Sequence, residues 1–370
     1  MPRAVMGAWR DIRDSHYMKL FICQNCASLL YFENSTCKKC GLTTGYIPEL
    51  EVLSAVKPDG INWTALADPE QPYQFCANWE RHACNWLLKS GTAETYCRAC
   101  QHNKTIPDVT DPINNALWVT MERAKRRLFY SLMKLRLPLP LPNQGHPQPL
   151  EFEFLTDAPG KHVMTGHDNG NITISLREAD DAEREKLRTS MHEPYRTLLG
   201  HFRHEVGHFY WDILVRDGGQ LESCRAIFGD DSVSYDEALD RYYKNGSAPD
   251  WQTSHVSAYA TMHPWEDFAE TWAHYLHIVD TLEMAYAFGI SVAPRIGGDE
   301  ALQATIDRNP YKAESIEELV AAWLPISFAA NSLNRTMGQP DLYPFIISQP
   351  AIQKLGYIHW LIRNHSLTAA

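Results

Sequence analysis

The chain has 370 residues, 44% of them hydrophobic and 21% charged, which suits a soluble globular protein of two or three domains. A formal net charge of −11 argues against a general nucleic-acid role, because such binding rests on neutralising phosphates. No apolar run reaches the roughly 18 residues that a membrane span needs, and Met1 to Tyr17 is polar and charged, without the apolar core of a signal peptide. Residues 1–17 therefore read as a disordered extension or an early start, and the chain as cytoplasmic. In that setting, nine cysteines point to metal ligation rather than disulfides.

Eight of the nine lie before residue 101, in two groups of four. The first is Cys23-x2-Cys26 followed, ten residues on, by Cys37-x2-Cys40. Two such pairs around a short hairpin are the ligand set of a zinc ribbon, a closed site of four thiolates. Gly41 lets the backbone turn after the second pair, and Leu29-Leu30-Tyr31-Phe32 has strand character. With little basic surface beyond Lys38 and Lys39, this module reads as a structural staple, with docking of a protein partner as the other reading. The second group is Cys76, Cys84, Cys97 and Cys100. Its leading pair is not a CxxC, so His82 and His102 compete as ligands, but four cysteines fit best. Trp79, Trp86 and Tyr96 interleave with them as a small core. The ninth, Cys224, reads as a buried small hydrophobe.

Residues 48–72 show no clear period. Ala116 to Leu135 predicts a helix with Trp118, Met121, Ala124, Leu128, Leu132 and Leu135 on one stripe, and Lys125-Arg126-Arg127 on a face that is solvated or paired with acidic neighbours. Five prolines between Pro138 and Pro149 predict a stiff connector. Glu151–Phe154 and Ile172–Leu176 alternate as strands around an Asn169-Gly170 turn. A charged helix over 179–191, a short one over Tyr235–Tyr243 and helical patterns from Ala301 onward complete an α+β chain. Its expected divisions are 1–17, a cysteine-rich region at 18–105, helix and connector at 106–149, and a domain at 150–370.

Within that last domain, His204-Glu205-Val206-Gly207-His208 lies on a helical stripe of Leu198, Phe202, Val206, Phe209 and Ile213, ending near Asp217-Gly218-Gly219. Histidines four apart share a helix face, and the HExxH pattern holds zinc with the glutamate as general base. A catalytic zinc takes three protein ligands and keeps one position open. The third is sought in Trp265–His274, where Glu266, Glu270 and, one turn on, His274 share a face. A neighbour one turn from the ligand is placed to hydrogen-bond a ligand histidine. Tyr259, seven residues before Glu266, is placed to donate to an oxyanion, with His255 as a second candidate. His201, Arg203, His263 and His277 read as packing or hydrogen-bonding residues, and Ile172–Leu176 as a strand to which a peptide would add.

HExxH followed downstream by Tyr-x6-Glu-x2-Ala-Glu resembles the gluzincin arrangement in the catalytic domain of anthrax lethal factor. That resemblance implies Glu266 as zinc ligand and Glu270 as the residue behind a ligand, although 57 residues separate His208 from Glu266, leaving room for an inserted element. From about residue 18 onward the chain resembles a bacterial family of zinc-binding metallopeptidases with an N-terminal zinc-ribbon domain. The matching stretches are both cysteine groups, 124–128, 195–208 and 263–270. The resemblance implies a mainly helical zincin-like peptidase domain with a small mixed sheet, one catalytic and two structural zincs, and a peptide or protein substrate. The rival reading is a zinc-ribbon adaptor whose HExxH site is structural or latent.

Overall fold

The computed structural model describes residues 19–158, 160, 162–191, 193–297 and 299–368; the expected 1–17 extension lies outside them. The contacts divide the chain into two compact units, one running to Gln101 and including Tyr286–Phe288, the other holding His102–Ala285 and Gly289 onward.

The first unit opens with an antiparallel hairpin of β1 (Leu20–Ile22) and β2 (Leu29–Tyr31). Both CxxC pairs of the first group turn in the same way. The amide of Ala27 donates to Cys23 O and that of Gly41 to Cys37 O, each residue in the left-handed region at φ 56° and 76°. A five-stranded antiparallel meander follows: β3 (Thr43–Ile47), β4 (Val52–Asp59), β5 (Asn62–Ala65), β6 (Pro72–Phe75) and β7 (Leu87–Lys89). Its core is Ile47, Val56, Ala65, Tyr73 and Leu87. Gly45 must be glycine, because a Cβ there would stand 2.6 Å from Leu87 Cγ. Strands β4 and β5 fill the stretch in which the sequence showed no period. Leu53 to Val56 are buried in succession, so β4 carries no alternation to detect. Trp86 is buried against Tyr46, and Trp79 stacks on Phe75. Tyr96, expected in this small core, is exposed instead.

The second unit begins with β8 (Asn103–Thr105) and α1 (Pro112–Lys134). Helix α1 is started by Pro112 and by the Asp111 carboxylate, which accepts from the amides of Ile113 and Asn114. Its apolar stripe is buried as expected. Its basic face is not simply solvated: Lys125 is fully buried, bonded to Glu122 at 2.9 Å and to Asn103, with the rings of Phe152 and Phe154 close by. Here the pairing with an acidic neighbour prevails, because a buried ammonium needs a counter-charge.

Next come β9 (Glu151–Leu155), β10 (Gly166–Asp168) and β11 (Asn171–Ser175). The sheet order is β10-β11-β9-β8, with β10–β11 antiparallel and the other pairs parallel. The sequence placed a boundary at 105/106 and a connector before residue 150. The division instead falls between Gln101 and His102, so α1 and the proline-rich segment belong to the second unit. The physical reason is that this segment is tied down: Tyr210 Oη donates to Pro138 O, Leu150 N donates to Pro140 O, and Leu141 and Leu150 are buried. The rest is mainly helical: α2 (Asp181–Ser190), α3 (Leu198–Tyr210), α4 (Leu221–Phe228), α5 (Tyr235–Asn245), α6 (Pro264–Ala287), α7 (Ile316–Thr336) and α8 (Gln349–Thr368), with β12 (Ser291–Val292) and β13 (Ala304–Thr305) paired antiparallel between α6 and α7. No helix among the described residues is long and apolar enough to cross a membrane.

Candidate metal centres

Four thiolates around one zinc at about 2.3 Å stand about 3.8 Å apart, whereas a disulfide brings sulfurs to about 2.05 Å. In the first cysteine group Cys23 Sγ lies 3.7 Å from Cys40 Sγ, and Cys26 Sγ lies 3.6 Å from Cys37 Sγ. In the second, Cys84 Sγ is 3.6 Å from Cys97 Sγ, and Cys76 and Cys100 complete the cluster. Both sets have the spacing of tetrahedral zinc. Neither competing histidine joins them: the Nδ1 of His102 meets Leu150 O at 2.7 Å, and the second cluster comprises the four cysteines. Cys224 is buried, as a small hydrophobe would be.

The third group stands where α3 crosses α6. Thr197 caps α3, its hydroxyl accepting from Gly200 N, and Leu198, Phe202, Val206 and Phe209 bury the apolar stripe. Helix α3 continues as a π-helical segment, Trp211–Arg216. Gly207, within the motif, lets α6 approach: a Cβ there would meet Ala269 Cα at 3.0 Å. This close crossing brings Glu266 and Glu270 of α6 to the two histidines.

His204 Nε2 lies 2.9 Å from Glu266 Oε2 and 3.1 Å from His208 Nε2, and His208 Nε2 lies 3.4 Å from the same oxygen. Ligands at about 2.0–2.2 Å from a tetrahedral zinc stand about 3.3–3.6 Å apart, so the triangle is close to the required size. Glu266 is buried, and among the described residues its Oε2 faces only the two imidazole nitrogens. A buried carboxylate oxygen aimed at two imidazole nitrogens suits a shared cation. Burial pushes the Glu266 carboxyl up, but the imidazoles of His208 and His204 outweigh it and hold the group well below the usual carboxylate range.

Around the triangle, Glu270 Oε1 meets His204 Nδ1 at 2.6 Å, and its Oε2 accepts from Ser257 Oγ at 2.5 Å. Ser257 also accepts from Ala260 N, which fixes the turn carrying Tyr259. The Tyr259 ring is 6.0 Å from that of His204. Burial, then the Glu266 charge, raises its phenol and keeps it protonated as a donor. Glu205, next to His204 in the motif, is buried, and burial raises its carboxyl above the ordinary range. Trp265 covers His208, ring centroids 3.6 Å apart.

Several expected roles change. His274, expected behind a ligand, engages the Tyr343 hydroxyl at 2.6 Å through Nδ1 and packs on Phe345; it lies one turn too far along α6. His255 faces Ser254 and Asp267 rather than Tyr259. Strand β11 cannot accept a peptide as an added strand, because β10 and β9 already pair with both its edges. The free edge on that side is β10. Arg203, His263 and His277 make an ion pair or hydrogen bonds with Asp280, Val233 and Arg203 respectively, while His201, which burial lowers to about 4, packs 3.4 Å from Glu178.

One residue had no sequence signal. Tyr235, the first residue of α5, donates to Glu266 Oε1 at 2.7 Å from 31 positions away. Ser257 was within view beside Tyr259, but its partner was not.

A family model described as "Putative zinc-binding metallo-peptidase" matches residues 114–361, and a zinc-ribbon domain model matches residues 20–111. The chain is 40% identical over 346 residues to uncharacterized proteins of Mycobacterium bovis and Mycobacterium tuberculosis, covering 93% of this chain and 95% of theirs. No solved structure matches, so the likeness to the lethal-factor domain rests on motif spacing alone.

Proposed function

The chain belongs to this zinc-binding metallo-peptidase family, and from that premise we propose that it hydrolyses peptide bonds at a zinc held by His204, His208 and Glu266. The observation that carries the reading is a contrast within one molecule. Two groups among the described residues offer four thiolates each, the donor set of closed structural sites. The third offers two imidazoles and one carboxylate, the donor set of a site that keeps a position for water.

A zinc there would lower the pKa of bound water toward about 7 and polarise the scissile carbonyl. The chain supplies the rest. Glu205 takes the proton of the attacking water and passes it to the leaving amine, a contribution of about 10²–10⁴ in rate. Tyr259 donates to the carbonyl oxygen as it gains charge. Glu270 accepts from His204 Nδ1 and so leaves Nε2 free to ligate. A purely structural site, as an adaptor would have, gives Glu205 nothing to do.

Wild type and Glu205→Gln, both zinc-loaded, are to be incubated with a mixture of unstructured peptides and the products read by mass spectrometry. Cleavage by wild type and none by the zinc-bearing variant is expected. Equal cleavage by both would refute Glu205 as the base.

A further inference from the structure

The 57 residues between His208 and Glu266 include α4 and α5, and the start of α5 reaches the metal centre. Ser234 caps α5, accepting from Glu237 N, and so fixes Tyr235 at its first position. The Tyr235 ring lies against His263 and Trp265, 5.4 and 5.9 Å between centroids, and Trp265 in turn covers His208. The ring is thus held by the same residues that flank the ligands. Its hydroxyl donates to Glu266 Oε1 at 2.7 Å.

We propose that Tyr235 is a positioning residue of this centre: it occupies one oxygen of Glu266, leaving only the other to face the histidines. The inference rests on the zinc reading above. Its physical basis is the two ends of one carboxylate. Oε1 is engaged by a phenol, while among the described residues Oε2 faces only the imidazole nitrogens, at 2.9 and 3.4 Å. With both oxygens free, a glutamate can bind a metal through both, and the second oxygen would compete for the position that water needs. Hydrogen bonds to ligand carboxylates are worth about 10–100-fold in metal affinity. The long insertion is thereby part of the centre rather than a loop beside it.

Tyr235→Phe keeps the ring and removes the hydroxyl. Full-length wild type, Tyr235→Phe and Tyr259→Phe are to be loaded with zinc and titrated with a chelator, with retained zinc counted by elemental mass spectrometry. The histidine-site zinc is the one that a His204→Ala, His208→Ala chain lacks. We expect Tyr235→Phe to release it at 10–100-fold lower chelator, with the cysteine zincs and the circular dichroism unchanged. Tyr259→Phe should stay within about twofold of wild type, because among the described residues the phenol bonded to Glu266 is that of Tyr235. Unchanged affinity in Tyr235→Phe, or an equal loss in Tyr259→Phe, would overturn the proposal alone. A wild type that holds no zinc on these histidines would overturn the metallopeptidase reading and the proposal with it.

Discussion

Replacing Gly207 with alanine sets two known effects against each other. In a helix interior alanine is better than glycine by about 1 kcal/mol, so at an unconstrained site the change would stabilise. Here the new Cβ would stand 3.0 Å from Ala269 Cα and 3.2 Å from both Ala269 O and Trp272 Cβ. Carbon contacts are comfortable from about 3.5 Å, so α6 must retreat by roughly half an ångström at the crossing. Two of the three opposing atoms are backbone, and Trp272 is fully buried, so no flexible side-chain end can give way. Overpacking of this kind costs about 1–3 kcal/mol. The balance is a loss of about 0–2 kcal/mol, visible in urea unfolding followed by tryptophan fluorescence. The metal centre should suffer more than the fold. Glu266 and Glu270 ride on α6, and a ligand triangle with edges of 2.9–3.4 Å opens when that helix moves. We expect zinc affinity at the histidine site to fall by about tenfold or more, equivalent to about 1.4 kcal/mol, while the cysteine sites keep theirs. A variant that is more stable by about 1 kcal/mol and binds zinc as before would show that the helices do not meet closely at Gly207.

Tyr259→Phe should keep all its zinc yet lose about 10²–10³ in kcat on any peptide the wild type cleaves, as removal of an oxyanion donor does; undiminished kcat would exclude Tyr259 from that role. Lys354→Met should destabilise the chain by about 1–3 kcal/mol in urea, more at pH 8 than at pH 6. Lys354 Nζ is 2.6 Å from the Asp267 carboxyl, which burial already raises to about 7, so without the ammonium this group takes up a proton at neutral pH. A loss below about 1 kcal/mol would place the pair with exposed ones.

What the sequence made legible was local. His204 and His208, like Glu266 and Glu270, sit four apart on single helices, so the face each pair shares follows from helix geometry. The two cysteine groups carry their chemistry in residue type and spacing. The parts that stayed hidden depend on partners distant in the chain. Tyr235 gave no sign because its hydroxyl meets Glu266 only after α5 folds back on α6. The alternation of Ile172–Leu176 marked a strand, but the sheet order that buries both its edges comes from parallel pairing with β9, some twenty residues earlier. His274 shares the helix face of Glu270 but lies a turn beyond reach of the centre, a matter of where α3 crosses α6. Lys125 is a charged residue in the core because Glu122, one helical turn away, and Asn103 of β8 both meet its ammonium. The charge pattern alone did not show that this side of α1 is covered.

Zinc per chain tests the central claim most directly. Elemental mass spectrometry on the wild type and on a His204→Ala, His208→Ala variant should give three zincs falling to two, one for each of the three donor groups and then one for each cysteine group. Two zincs in both proteins would contradict the account, since the histidine and glutamate triangle would then hold no metal.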